Sequence, residues 1–204
     1  MEKKGILLVV SGPSGAGKGT ICKAFLEKNP EVKLSISATT RLPREGEVDG
    51  VNYYFIDKDK FKSMIDKEEF MEHAYFFENH YGTPKKPVLE NLENGKDVVL
   101  EIDILGAMQV KERCPEAVMI FILPPSIEEL KHRITGRGTE TPEQVKKRLS
   151  RAMEEIRKIE EYSYFIVNDD VKRAVEEMEA IVLSEKNKVD RYKKELIRIY
   201  EEEM

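Results

Sequence analysis

A chain of 204 residues is long enough for one domain with a sizeable core, and 40% hydrophobic with 36% charged residues predicts a soluble globular protein. The formal charge of −5 argues against general nucleic-acid binding, which needs a basic face, so an anionic ligand must be held by local positive charge. Cys22 and Cys114 lack the spacing of a disulfide framework, His73, His80 and His132 share no ligand spacing, and no apolar run approaches the roughly 18 residues of a membrane span. These features predict a cytoplasmic setting, no membrane association and no zinc site.

In chain order, Ile6 to Val10 has the length and β-branched content of a buried strand, and Ile21 to Lys28 is amphipathic and helical. The glycine-rich stretch Ser11 to Thr20 lies between them. Val32 to Ser37 predicts a second strand opening into a loop over 38–50, where Gly46, Gly50 and Pro43 mark irregular backbone. Val51 to Ile56 reads as a strand, Asp57 to Asp66 as a short helix with an Asp cap, and Glu69 to Phe77 as another strand-like stretch. Gly82 and Pro84 break the pattern, and Val88 to Glu93 resumes a helix that Gly95 ends. The apolar runs Asp97 to Ile102 and Ala117 to Leu123 flank a helical Gly106 to Arg113, an alternation that predicts a parallel sheet with helices on both faces. The block from about Ser37 to Gly82 is shorter-paced and more polar, and reads as an inserted lobe. Ser126 to Ile134 is helical and runs into a glycine-bearing loop, 135–142. A further helix starts at Pro142 or Glu143, with Thr141 and Gln144 spaced as a capping box, and reaches about Glu161. Tyr164 to Val167 is the last core strand, and Asn168, Asp169 and Asp170 cap one long final helix from Val171.

Four groups of residues carry the chemistry. Gly12, Gly17 and Lys18, between a strand and a helix, have the spacing of a phosphate-binding loop: small residues let backbone N–H groups converge on a polyphosphate while the lysine adds charge near the β and γ phosphates. Gly19 stands where that pattern wants a hydroxyl for magnesium, and Thr20 comes one position later, so no direct protein ligand to the metal is assigned. Arg41 and Arg44, three apart just past a strand end, suit a bidentate clamp on a monophosphate, the alternative being two solvated surface arginines. Arg133, Arg137, Arg148 and Arg151 form a second cluster, split between the glycine loop and the helix after it. It suits a lid that neutralises a moving phosphoryl group and excludes water, the alternative being a helix salt-bridged to Glu154 and Glu155. Glu72, Glu101 and Asp103 lie within or at the end of apolar strands. Glu72 and Asp103 suit a purine pocket, accepting from the N1–H and exocyclic amine of guanine, or else they cap nearby backbone.

With these segments assembled, the sequence resembles the guanylate kinases over nearly its whole length. The residues that carry the likeness are 11–18, 37–44 (Ser-Ala-Thr-Thr-Arg-Leu-Pro-Arg), 50–53, Tyr81-Gly82, Glu101-Ile102-Asp103, 136–139 and Val167-Asn168-Asp169. The resemblance implies an α/β fold with a P-loop NTPase-type parallel sheet flanked by helices, made of a CORE at about 1–36, 84–134 and 162–204, a GMP-binding lobe at about 37–83 and a LID at about 135–161. It implies closure around ATP and GMP to give ADP and GDP with Mg²⁺, and no obligate protein partner. Gly12, Pro13, Ser14, Gly15, Ala16, Gly17, Lys18, Gly19 and Thr20 would hold ATP, with Arg133, Arg137 and Asn168. Ser37, Arg41, Arg44, Tyr53 and Tyr81 would hold the GMP phosphate, while Glu72, Thr83 and Asp103 would read guanine. Lys18, Arg41, Arg137 and Arg148 would carry catalysis, Arg148 touching GMP as well. The alternatives are a phosphopeptide-binding module on the same fold, disfavoured by the intact phosphate loop, and a nucleoside monophosphate kinase for another base, disfavoured by the two carboxylates.

Overall fold

The computed structural model describes residues 4–76, 78–135 and 142–202. Its centre is a five-stranded, all-parallel sheet made of β1 (Leu7–Ser11), β2 (Lys33–Leu34), β7 (Val98–Glu101), β8 (Val118–Leu123) and β9 (Tyr164–Val167), in the order β2-β7-β1-β8-β9. Side chains alternate across a strand. In β1 this sends Leu8 and Val10 to one face and Leu7 and Val9 to the other, and all four are buried. Burial on both faces is why the inner strands β1, β7 and β8 appear in the sequence as apolar runs.

On the first face, Ile21, Cys22 and Phe25 of α1 (Lys18–Lys28) and Ala174, Met178 and Ile181 of α7 (Val171–Lys186) join Leu8, Val10, Ile120 and Ile122 in one cluster. On the second, Val88 of α3 (Lys85–Glu93) and Ala107 and Val110 of α4 (Ile104–Arg113) pack on Leu7, Val9, Leu100 and Met119. Met71 belongs to this second cluster, and it anchors a smaller sheet to the core.

That sheet runs β4-β3-β6-β5, from β3 (Ala38–Thr39), β4 (Tyr54–Phe55), β5 (Phe70–Phe76) and β6 (Asn79–Pro84). β3 pairs parallel with β4, while β3–β6 and β5–β6 are antiparallel. Phe61 of α2 (Lys58–Asp66) stacks on Phe70 at 4.5 Å between ring centroids and on His80 at 5.1 Å, forming a small core of its own. The Asp57 carboxylate accepts from the Lys60 N–H and starts α2.

Several elements differ from the sequence expectation. The strand expected over 32–37 divides between the sheets: the Ser35 N–H still bonds Val99 O, but Ser37 O accepts from the Tyr54 N–H. The strand expected from Val51 starts only at Tyr54, because Val51 and Asn52 turn back onto the Val48 carbonyl. Asn79–Pro84 is a strand, not a break. A Cβ at position 82 would sit 2.9 Å from Phe70 Cδ1 and 3.0 Å from Glu72 O, so Gly82 admits the close pairing of β5 and β6. α1 begins at Lys18, three residues before its apolar face. α5 spans Ile127–Thr135, and α6 (Pro142–Ile156) passes into a 3₁₀ turn at Arg157–Glu161. The expected single final helix is two, α7 and α8 (Val189–Glu202), separated after Asn187 caps the first.

Candidate active site

The loop after β1 delivers its backbone to the carboxyl edge of the central sheet, where open parallel sheets bind ligands. Gly17, with φ of 89°, caps α1 in the left-handed region, and a Cβ there would lie 2.1 Å from Asn168 Nδ2. Asn168 uses that contact space to hold the loop: its side-chain N–H donates to Ala16 O at 2.7 Å. Arg133 does the same from α5, donating to Ala16 O at 3.2 Å and Asn168 O at 3.0 Å while Glu129 takes its Nε–H at 2.8 Å. Asn168 and Arg133 thus brace the loop from behind.

Lys18 Nζ donates to Gly12 O at 2.7 Å and lies inside the curve of the loop. Burial pulls its ammonium below the ordinary range, and Glu101, Glu155 and Asp103 push it back up. The Glu101 carboxylate ends β7 on the same edge: a Cβ at position 19 would be 3.3 Å from its Oε1, and burial raises its pKa against the opposing charge of Lys18.

The smaller sheet carries a second set of polar groups. Arg41 pairs end-on with Glu47, NH1 to Oε2 and NH2 to Oε1 both at 2.9 Å, and its second NH1 hydrogen goes to Leu42 O at 2.6 Å. The same Glu47 oxygen accepts the Arg44 N–H at 2.7 Å, so one carboxylate gathers both arginine positions. The Arg41 guanidinium lies 5.5 Å from the Tyr53 ring centroid, and Tyr53 meets Tyr81 edge-on at 6.1 Å. Pairing with Arg41 holds the Glu47 carboxyl below its usual range. Glu47 takes the NH1–NH2 edge of the fork, and a hydrogen bond with Tyr81 also supports the Arg41 charge. Ser37 is half-buried at the start of this loop, while the Arg44 side chain is exposed.

Glu72 is only 5% exposed and accepts from Thr83 Oγ1 at 2.7 Å across the β5–β6 pair. Burial pushes its carboxyl up to about 7, with Asp103 adding to the rise and the Thr83 bond opposing it. Asp103 caps α4, its Oδ1 accepting from the Gly106 N–H at 2.8 Å. The capping alternative therefore holds for Asp103, and a carboxylate with two oxygens still has acceptor capacity for a ligand. A Cβ at Gly106 would lie 2.7 Å from Glu72 Oε2, so the two acids meet across the start of α4.

α6 lies between the two sets. Arg148 NH2 donates to Ser14 Oγ at 3.2 Å, and Glu155 Oε2 accepts the Ser14 N–H at 3.4 Å. Arg137 falls outside the described residues, as does Thr141. The structure thus brings Arg148 to the loop that Lys18 enters, and sets Arg41, Tyr53 and Tyr81 together, and Glu72, Thr83 and Asp103 together, on the smaller sheet and at the start of α4.

A protein-family model described as guanylate kinase matches residues 4–185. The chain belongs to the guanylate kinase family. A guanylate kinase from Clostridioides difficile (strain 630) is 62% identical over 202 residues, covering 99% of this chain and 98% of the relative. Another, from Caldanaerobacter subterraneus, is 57% identical over 202 residues with the same coverage. A crystal structure of guanylate kinase from Anaplasma phagocytophilum aligns with a TM-score of 0.76 at 35% identity, covering 94% of this chain and 91% of that one. Guanylate kinase membership covers the α/β architecture.

The sequence carries no local signal that gives Glu47 a role, and it offers Glu155 only as a salt-bridge partner for the arginines. Glu47 lies six residues from Arg41 in a loop without periodicity, so only its charge was visible. Glu155 is 141 residues from the Ser14 it meets.

Proposed function

We infer that the chain transfers the terminal phosphoryl group of ATP to GMP, giving ADP and GDP. The observation that carries this reading is the pairing of a phosphate loop with a smaller sheet that holds both an arginine fork and a buried carboxylate. Two anionic substrates meeting in one cleft require this division of labour, and a family match over nearly the full chain supports it.

We assign the CORE to about 1–36, 84–134 and 162–204, the GMP-binding lobe to about 37–83 and the LID to about 135–161, boundaries that the two-sheet division supports. The loop 12–20 and Lys18 hold the donor phosphates through converging N–H groups, the α1 N-terminus and one ammonium. Arg41, with Tyr53 and Tyr81, holds the acceptor phosphate by the fork edge that Glu47 leaves available, and Ser37 and Arg44 flank it. Glu72, oriented by Thr83, accepts from the guanine N1–H and exocyclic amine, a donor pair that adenine does not present, with Asp103 beside it. The attacking oxygen belongs to a phosphate that is already ionised, so no side chain needs to remove a proton. Positioning and charge neutralisation by Lys18, Arg41 and Arg148, joined by Arg137, carry the transfer.

The residues present fit Mg²⁺. The Glu101 carboxylate beside Gly19 and the loop lysine supplies the hard oxygen donor that this ion takes together with phosphate oxygens and water, and Glu101 would hold it. Bound with ATP, Mg²⁺ supplies charge neutralisation on the phosphates. Both cysteines are unpaired, which supports a reducing compartment such as the cytoplasm. Among the described residues no helix is long and apolar enough to cross a membrane.

The test is ADP formation from ATP and Mg²⁺ with GMP, dGMP, AMP, UMP or no acceptor. Strong turnover with GMP and little with AMP or UMP is the expected result. Turnover with another acceptor keeps the kinase and overturns the guanine pocket, and folded protein without turnover on any acceptor overturns the reading.

A further inference from the structure

We propose that Arg151 is a positioning residue that ties the acceptor-side hairpin to the phosphate loop, so that each nucleotide binds more tightly when the other is present. The proposal rests on the phosphoryl-transfer reading above and concerns residues to which that reading gives no part.

Arg148, Arg151 and Glu155 are spaced three and four apart and share one face of α6. That face looks into the cleft, because Arg148 and Glu155 both reach Ser14 of the phosphate loop. Arg151 sits between them and turns the other way along the cleft. Its Nε–H donates to Glu155 Oε1 at 3.0 Å, and its guanidinium carbon lies 5.1 Å from the centroid of the Phe76 ring. Phe76 is the last residue of β5, the strand that carries Glu72 and pairs with β6, which carries Tyr81 and Thr83. A continuous line of contacts therefore runs Ser14, Glu155, Arg151, Phe76, from the donor-phosphate loop to the tip of the hairpin.

The hairpin is held differently at its two ends. Toward its base, Arg113 NH1 of α4 donates to Phe70 O and Met71 O, and Gln109 exchanges hydrogen bonds with the His73 backbone. Those bonds fix the base to the central domain. Its tip meets α6 through a half-exposed pair, Arg151 at 51% and Phe76 at 39%. A guanidinium over a ring at an exposed site contributes a modest attraction, worth about two- to fivefold in an equilibrium. Strength of that order biases the approach of the two sides without locking it. A donor phosphate that takes the Ser14 N–H in place of Glu155 also draws the Arg148 guanidinium, which keeps α6 against the loop and Arg151 at the hairpin tip, and linkage makes the benefit reciprocal.

The experiment measures the affinity of a non-hydrolysable ATP analogue with and without saturating GMP, in the wild type, Arg151→Ala, Phe76→Leu, Phe76→Tyr and the double variant Arg151→Ala/Phe76→Leu. The ratio of the two affinities is the readout. It should exceed one in the wild type, fall about two- to fivefold in Arg151→Ala and in Phe76→Leu, and stay at the wild-type value in Phe76→Tyr, which keeps the ring. The double variant should lose no more than Arg151→Ala does. An unchanged ratio in Arg151→Ala, additive losses in the double variant, or loss in Phe76→Tyr equal to that in Phe76→Leu would each overturn the coupling role. Wild-type turnover of GMP is a separate measurement: a wild type that phosphorylates GMP yet binds the two nucleotides independently overturns this proposal alone, and one that does not phosphorylate GMP overturns the functional reading and the coupling with it.

Discussion

Lowering the pH from 8 to 6 should weaken GMP binding through Glu72. Burial lifts this carboxyl from 4.5 to about 7, and only the carboxylate offers acceptors to both guanine donors. The apparent dissociation constant scales inversely with the ionised fraction, which falls from about nine-tenths at pH 8 to about one-tenth at pH 6, so affinity should drop about tenfold. Calorimetry in two buffers of different ionisation enthalpy reads the same event as proton release, about half a proton per GMP at pH 7. The phosphate of GMP titrates near pH 6 itself, as phosphomonoesters do at about that value. Glu72→Gln is therefore the reference, since it keeps the phosphate contribution and loses that of the carboxyl. It should bind GMP about 10- to 100-fold more weakly at pH 8, with a flatter profile. Stability supplies an independent readout. The folded-state pKa lies above the unfolded value, so the folded protein holds an extra proton between 4.5 and about 7. The stabilisation is complete below that window and lost as pH rises through 7, and the rise corresponds to about 3 kcal/mol. The Tm of ligand-free wild type should consequently fall relative to Glu72→Gln between pH 5 and pH 8. Parallel profiles for the two proteins, in affinity and in Tm, would refute the reasoning.

Lys18→Ala should lower turnover by at least about a hundredfold while leaving the thermal midpoint nearly unchanged, because the ammonium serves charge developing in the transition state; a loss of tenfold or less in a coupled ADP assay would contradict this. Glu47→Ala should raise the KM for GMP several-fold and leave that for ATP alone, since Arg41 loses the carboxylate that holds its end-on edge. A fall in KM would instead mean that Glu47 competes with the substrate phosphate. Gly17→Ala forces a Cβ into the left-handed region against Asn168 and breaks the brace on Ala16 O. A cost of about 2 kcal/mol should lower Tm by about 4–8 °C, and a scanning calorimeter would reveal an unchanged midpoint if the loop tolerates the side chain.

Legibility in the sequence followed the range of the interactions. The phosphate loop was readable because its work is done by consecutive residues between two periodic elements, and the central strands were readable because burial on both faces leaves them uniformly apolar. The β5–β6 hairpin was not, because Gly82 and Pro84 are local breakers whose place in a strand is decided by Phe70 and by the backbone of Glu72 more than nine residues away. The strand at 32–37 divides for a related reason: one stretch of alternating apolar and polar residues serves two sheets, and where it changes partner depends on Val99 and Tyr54. The break at Asn187 carries neither glycine nor proline, so nothing in the local sequence distinguished it from continued helix. The site divides in the same way. Glu72 and Asp103 looked like two acids that either read a base or capped backbone, and the choice depended on what stood around them. Asp103 takes the α4 cap with one oxygen, whereas Glu72 is held across the β5–β6 pair by the hydroxyl and backbone of Thr83 in a buried setting. Burial raises the Glu72 pKa over the opposing Thr83 bonds. A ligand that brings two donors to Glu72 relieves that perturbation, so the same desolvation that costs stability in the free protein strengthens the recognition of guanine over adenine.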